Sequence, residues 1–145
     1  MEALQPLPLR LSPGDDLRAC VEAALAGGGD AGTQPRRAAF LVQGIGSLSV
    51  ARLRYAGRPE PTELRGDLEI LTVAGSVAPD GAHLHMSVSD ADGLVYGGHV
   101  AAGCIVRTTA ELLLALLPAH EFAREHDPAT GFNELAVRPS RDSGQ

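Results

Sequence analysis

The 145-residue sequence contains no lysine and no tryptophan, and only 3% of it is aromatic. Each absence removes a class of function or constrains the fold. Schiff-base catalysis and the phosphate-binding P-loop both use a lysine, so both are excluded. With so few aromatic rings, core volume must come from Leu, Val, Ile and Ala. No apolar run approaches the roughly 20 residues that a membrane helix needs. The opening Met1-Glu2-Ala3-Leu4-Gln5-Pro6 lacks the basic start and apolar stretch of a secretory signal. A cytoplasmic location with no membrane partner is the expectation. Cysteine is scarce too: Cys20 and Cys104 stand far apart and read as reduced, buried, small apolar residues.

What charge there is runs acidic. The formal net charge is −6, all twelve basic residues are Arg, and only Arg36-Arg37 are adjacent. An acidic chain without a basic cluster is not expected to bind nucleic acid on its own. Hydrophobic residues make up 44%, enough for one ordinary core. The length fits one domain, placed over residues 1–139 with a frayed tail at 140–145.

Along the chain, Leu7 to Leu11 alternates and reads as an edge strand, a place that tolerates Pro8. Ser12-Pro13-Gly14-Asp15 predicts a helix start with Ser12 as the cap. Leu17, Cys20, Val21, Ala24 and Leu25 then follow at helical spacing, and Gly27-Gly28-Gly29 ends the helix. Asp30 to Gln34 reads as a polar loop. Ala38–Val42 and Leu48–Tyr55 read as strands interrupted by Gly44-Ile45-Gly46-Ser47. Gly57 to Pro61 is a loop, Asp67–Val77 a strand and Asp80-Gly81 a turn. The stretch from Ala101 through Leu117 is ambiguous. Its start is β-branched, whereas Ala110–Leu117 has helical composition. A turn at Asp127–Gly131 and a strand at Phe132–Val137 close the chain. The fold class is therefore α+β, a largely antiparallel sheet with one main flanking helix.

The most informative segment runs from Ala82 to Val100. On its first arm Leu84, Met86 and Val88 share one face, and His83, His85, Ser87 and Ser89 the other. The turn decides where His99 falls. A two-residue turn sets His99 against Leu84, on the apolar face. A three-residue loop, Ala91-Asp92-Gly93, sets it against His85, and such loops need glycine at their last, left-handed position. Only the second choice keeps Leu94, Tyr96 and Val100 with the apolar face. Opposed Cβ atoms lie roughly 5 Å apart and diagonal neighbours about 7 Å. His83, His85 and His99 can then converge on one point, the three-histidine pattern of a zinc ion with its fourth position open. Gly97 and Gly98 leave room beside His99. A metal-free ligand pocket is the alternative reading of the same cluster.

Other candidates are weaker. Glu69, in an otherwise apolar strand, is a candidate catalytic base, a hydrogen-bond acceptor for a metal-bound histidine, or an Arg partner, the last being the plainest. Gly44-Ile45-Gly46 has Ser49 where a dinucleotide loop needs its third glycine, and a strand follows it. It reads as a bulge or close backbone approach. No serine stands in a Gly-x-Ser-x-Gly setting. Gly57-Arg58-Pro59 matches the centre of an AT-hook, but Ala56 replaces the leading Arg and Glu60 follows. His120 and His126, among Glu121, Glu125 and Asp127, read as surface residues.

Gly66-Asp67-Leu68-Glu69-Ile70-Leu71, Gly81-Ala82-His83-Leu84-His85, Ser87-Val88-Ser89-Asp90, Asp92-Gly93 and Gly97-Gly98-His99 closely resemble the PPC (plants and prokaryotes conserved) domain. Leu9 to Leu17 and Thr130-Gly131-Phe132 extend the likeness over nearly the whole chain. The resemblance implies an antiparallel sheet with a flanking helix, assembled as a homotrimer. It also implies that His83, His85 and His99 match histidines proposed to hold metal. In plant members AT-hooks precede the domain and bind DNA. This sequence matches the stand-alone bacterial and archaeal type without a hook. The leading expectation is a trimeric module binding a divalent metal, zinc first, or a small ligand. The alternatives are a hydrolase or lyase using metal-activated water, and a DNA-binding or protein-interaction module.

Overall fold

The computed structural model describes residues 3–27 and 35–141. Within them the chain is a mostly antiparallel β-structure with one helix: β1 (Gln5–Leu11), α1 (Leu17–Ala26), β2 (Ala39–Arg54), β3 (Thr62–Ala78), β4 (Gly81–Ser89), β5 (Val95–Val100), β6 (Ile105–Leu116), β7 (His120–Asp127) and β8 (Phe132–Pro139). Strands β1 to β6 form one sheet in the order β1-β6-β2-β3-β4-β5. The sheet curls until the end of β2 meets β5, with Leu53 opposite Val100 and Arg54 opposite His99. β7 and β8 form a separate hairpin.

The core fills the inside of the curl. Leu41, Leu48, Leu53, Val73, Val77, Leu84, Val88, Val106 and Leu114 are almost fully buried there. Leu17, Val21 and Leu25, each one turn apart on α1, are buried against them. Cys104 joins this core, whereas Cys20 is only partly buried, so the expectation of two buried cysteines holds for one. A smaller cluster, Ala38, Ala78 and Phe122, fixes the β7–β8 hairpin to the sheet, with Phe40 edge-on to Phe122 at 5.5 Å between ring centres.

The structure corrects or completes the sequence reading at four places. The helix cap is Asp16, not Ser12: its side chain accepts from Ala19 N–H at 3.0 Å and from Gly103 N–H at 2.7 Å. Ser12-Pro13-Gly14-Asp15 is instead a turn, with Asp15 N–H donating to the Ser12 carbonyl. Asp16 wins because one carboxylate satisfies both the helix start and the loop before β6. Secondly, Ala110–Leu116, left open between strand and helix by its composition, belongs to strand β6. Its backbone pairs with β1 along one edge and β2 along the other, and pairing on two edges overrides helical propensity. Thirdly, Gly44–Ser47 does not break β2, which runs through it with register shifts against β6. Gly46 is needed there, because a Cβ would stand 2.5 Å from the Thr109 carbonyl oxygen. Fourthly, β7 is a strand that the charged sequence His120-Glu121-Phe122-Ala123-Arg124-Glu125-His126-Asp127 did not announce. The expected end of the helix past Gly27, the loop over 30–34 and the tail at 142–145 lie outside the described residues.

Candidate metal centre

The site is built on the β4–β5 hairpin, and its loop sets the register. Asp90 N–H donates to the Leu94 carbonyl at 2.9 Å, and Gly93 N–H to the Asp90 carbonyl at 3.0 Å. The Asp90 carboxylate accepts from Asp92 N–H and Leu94 N–H, both at 2.9 Å. Gly93 takes φ 79°, the left-handed conformation that glycine adopts without strain. The loop is therefore Ala91-Asp92-Gly93, and His85 stands opposite His99. Leu84, Met86, Val88 and Val100 point into the core, which turns His83, His85 and His99 to the outer side.

Two close backbone approaches hold this arrangement. A Cβ on Gly75 would collide with the carbonyl oxygen of His83, so β3 and β4 meet there only because residue 75 has no side chain. A Cβ on Gly98 would stand 2.6 Å from the Arg54 carbonyl oxygen, where β5 closes onto β2. Gly97 is looser, with its nearest neighbour at 3.3 Å.

The three imidazoles each present a nitrogen, and these nitrogens lie within 4.8 Å of one another. His85 Nε2 and His99 Nδ1 are 3.1 Å apart, one ring donating to the other according to tautomer. Ring centres stand 5.0 Å apart for His83 and His85, 5.2 Å for His83 and His99, and 4.4 Å for His85 and His99. Three ligands at about 2.0–2.1 Å from a tetrahedral zinc stand roughly 3.3 Å from each other. Small rotations of rings already this close reach that geometry, so the donor set fits a divalent metal. His85 is exposed; His83 and His99 are half-buried.

The electrostatics favour neutral imidazole, the form that binds metal. Burial lowers the pKa of His83 below 6.5, and the charges of Arg124, His85 and His99 lower it further against an opposing pull from Glu134. Burial lowers His99 likewise, followed by Arg54 and His85. A cleft of about 700 Å³ opens beside these two histidines, and Arg54, Arg124, Phe132 and Glu134 line its walls.

The remaining candidates stand elsewhere. Glu69 pairs with Ser89 in the β3–β4 register, four residues from His85, a displacement of roughly 13 Å along a strand. Its carboxylate is exposed and faces Arg107 at 3.5 Å, the ion pair that was the plainest reading. His120 and His126 are exposed on β7, outside the histidine cluster. Cys104 accepts a hydrogen bond from Arg52 N–H, and burial pushes its thiol up to about 11, which removes it as a nucleophile. Arg54 and Arg124 are the residues that sequence reasoning missed. Arg54 reaches the site through the β2–β5 closure and Arg124 through β7, and neither contact leaves a local signal.

Comparison with known proteins places these features in a lineage. The chain is 45% identical over 137 residues to the "Bifunctional protein GlmU" of Synechococcus sp. (strain JA-2-3B'a(2-13)), covering 94% of this chain and 21% of that protein. It thus spans about a fifth of the curated relative's length. Among solved structures, a hypothetical protein from Salmonella cholerae-suis superposes with a TM-score of 0.88 at 35% identity, covering 96% of each chain. The metal-containing protein AF0104 from Archaeoglobus fulgidus superposes with a TM-score of 0.74 at 26% identity, covering 94% of this chain and 99% of that one. The model of the Plants and Prokaryotes Conserved (PCC) domain matches residues 1–118. That match covers most of the chain, and the chain belongs to the PCC domain family.

Proposed function

We propose that this chain is a metal-binding domain that holds one divalent ion, zinc first among candidates, through His83, His85 and His99, and that it works as a homotrimer. The observation that carries the metal is the convergence of three imidazole nitrogens within 4.8 Å on the outer side of one hairpin. The metal-containing character of the relative from Archaeoglobus fulgidus supports it. Three histidine ligands leave a position for water or a ligand, so the ion is suited to recognising or polarising a small molecule. The position of Glu69 beside Arg107 lends no support to its use as a base. Self-association is supported by Val42, Ile45, Leu71 and Leu113, large apolar residues exposed on the neighbouring strands β2, β3 and β6. A net charge of −6 supports a partner other than nucleic acid.

Elemental analysis of protein purified without a histidine tag tests the metal. The expected result is about one zinc or similar ion per chain, lost in His99→Ala and in His83→Ala while the fold persists. Protein that neither carries a divalent ion nor takes one up on titration overturns the reading.

A further inference from the structure

We propose that the cleft beside the histidines binds a small organic anion, whose carboxylate or phosphate group is taken by Arg54 and Arg124 next to the metal. This inference rests on the metal reading for its orientation but not for its existence. Four observations carry it.

Both arginines are placed by the fold rather than by chance mobility. Arg54 is the cross-strand neighbour of His99 at the β2–β5 closure. Its guanidinium donates to the Arg58 carbonyl at 3.2 Å. Arg124 is anchored from two directions. Its backbone N–H donates to Asp80 at 3.0 Å, and its guanidinium to the Asn133 carbonyl at 2.8 Å.

Neither arginine forms an ion pair with a carboxylate among the described residues, unlike Arg18, Arg37, Arg65, Arg107 and Arg138. Each guanidinium spends one hydrogen bond on a neutral carbonyl and has further donors free for a ligand. Arg18, Asp80 and Glu134 also line the cleft, but Arg18 is paired with Glu22 and neither carboxylate forms an ion pair with Arg54 or Arg124 among the described residues, so two cations without a direct counter-ion stand beside His83 and His99. Such a pocket concentrates anions, and a guanidinium matches a carboxylate or phosphate with two parallel bonds.

The cleft is also too large for a bare inorganic ion. Its volume of about 700 Å³ lies in the range of small-molecule sites. Its lining includes Phe132, a large aromatic ring left 72% exposed at the start of β8. An apolar or ring-bearing body against Phe132 would leave the anionic head at the arginines and the metal. Glu134 also lines the cleft, close enough for its charge to act on His83, and disfavours ligands with a second negative charge.

Calorimetric titration of the tag-free protein, metal-loaded and metal-stripped, tests this with three probes: benzoate, phenyl phosphate and the neutral benzyl alcohol. The expected result is binding of one or both anions and none of the alcohol, the carboxylate and phosphate arms showing which head group is preferred. Arg124→Gln and Arg54→Gln should each weaken the anion about tenfold, with Arg124→Lys recovering part of the loss. The metal content of each variant should match that of the parent, which separates a ligand role from loss of fold. Anion binding to metal-stripped protein that is lost in the arginine variants supports the site even if no metal is ever retained. Metal-loaded protein that binds neither anion overturns the inference and leaves the metal reading standing. Anion binding that is unchanged in the double variant Arg54→Gln/Arg124→Gln overturns it as well.

Discussion

At the scale of single residues, the histidines combine two properties that pull in the same direction. Burial and neighbouring cations lower the pKa values of His83 and His99, so both are neutral at pH 7 without any metal present. The same shift makes the metal-free fold sensitive to acid. An unfolded histidine titrates near 6.5, whereas these two bind their protons only at lower pH in the folded chain. Between the two values the unfolded state holds more protons, so stability falls as pH drops through 6.5 and levels off below the folded values. Thermal melts of metal-stripped protein should therefore show Tm declining from pH 7.5 to 5. His83→Asn, which has no proton to gain, should flatten that decline. A variant with the same pH slope as the parent would show that the decline comes from other groups. Protons and metal also compete for the same nitrogens, so metal affinity should fall across this range.

At the scale of elements, the β4–β5 hairpin illustrates how much of the site was written locally. Asp90, the three loop residues and the alternation of Leu84, Met86 and Val88 together set the register, and all lie within one short segment. Two glycines in that hairpin serve different ends, and substitutions separate them. Gly93→Ala forces a side chain into a left-handed conformation with open space around it. It should cost about 1 kcal/mol and leave metal affinity unchanged. Gly98→Ala drives a Cβ against the backbone carbonyl of Arg54, which cannot yield as a flexible side chain can. It should cost more, roughly 1–3 kcal/mol, and should also displace His99 and weaken metal binding. Urea unfolding and metal titration of the two variants check both statements. Equal metal affinity in both would mean that the β2–β5 closure does not position His99.

The elements that sequence reading missed or left open share one cause. Ala110–Leu116 has helical composition but pairs with β1 and β2 on its two edges. Strand β7 has mixed charges, and it is tied down by distant segments, with Phe122 buried against Ala38 and Ala78 and the Arg124 N–H on Asp80. In both cases the partner lies far along the chain, and no local propensity reports it. Ser12 resembles a cap by spacing, but Asp16 prevails because Gly103, distant in sequence, needs the same carboxylate.

At the scale of the whole molecule, the curled sheet has an inner side filled by the core and α1 and an outer side that carries the histidines, the β7–β8 hairpin and bare apolar residues. Val42, Ile45, Leu71 and Leu113 are each more than 40% exposed, a composition expected of a surface that another chain covers. Light scattering after size-exclusion chromatography should give a mass near three times the 15.0 kDa chain. The double variant Ile45→Glu/Leu71→Glu should shift it to the single-chain mass with metal content preserved. A monomeric parent would end the proposal of a trimer, and a trimeric variant would move the interface to another surface.

The sequence by itself determined the α1 helix, the hairpin register and the common side of His83, His85 and His99. These follow from contacts between near neighbours, where turn chemistry and alternation leave one consistent arrangement. Only the tertiary structure decided that β2 closes onto β5, that β6 is a strand, and that Arg54 and Arg124 stand beside His83 and His99. Those outcomes depend on backbone pairing and packing between segments remote in sequence. No local pattern encodes them, because the partners that satisfy each strand edge exist only once the sheet has formed.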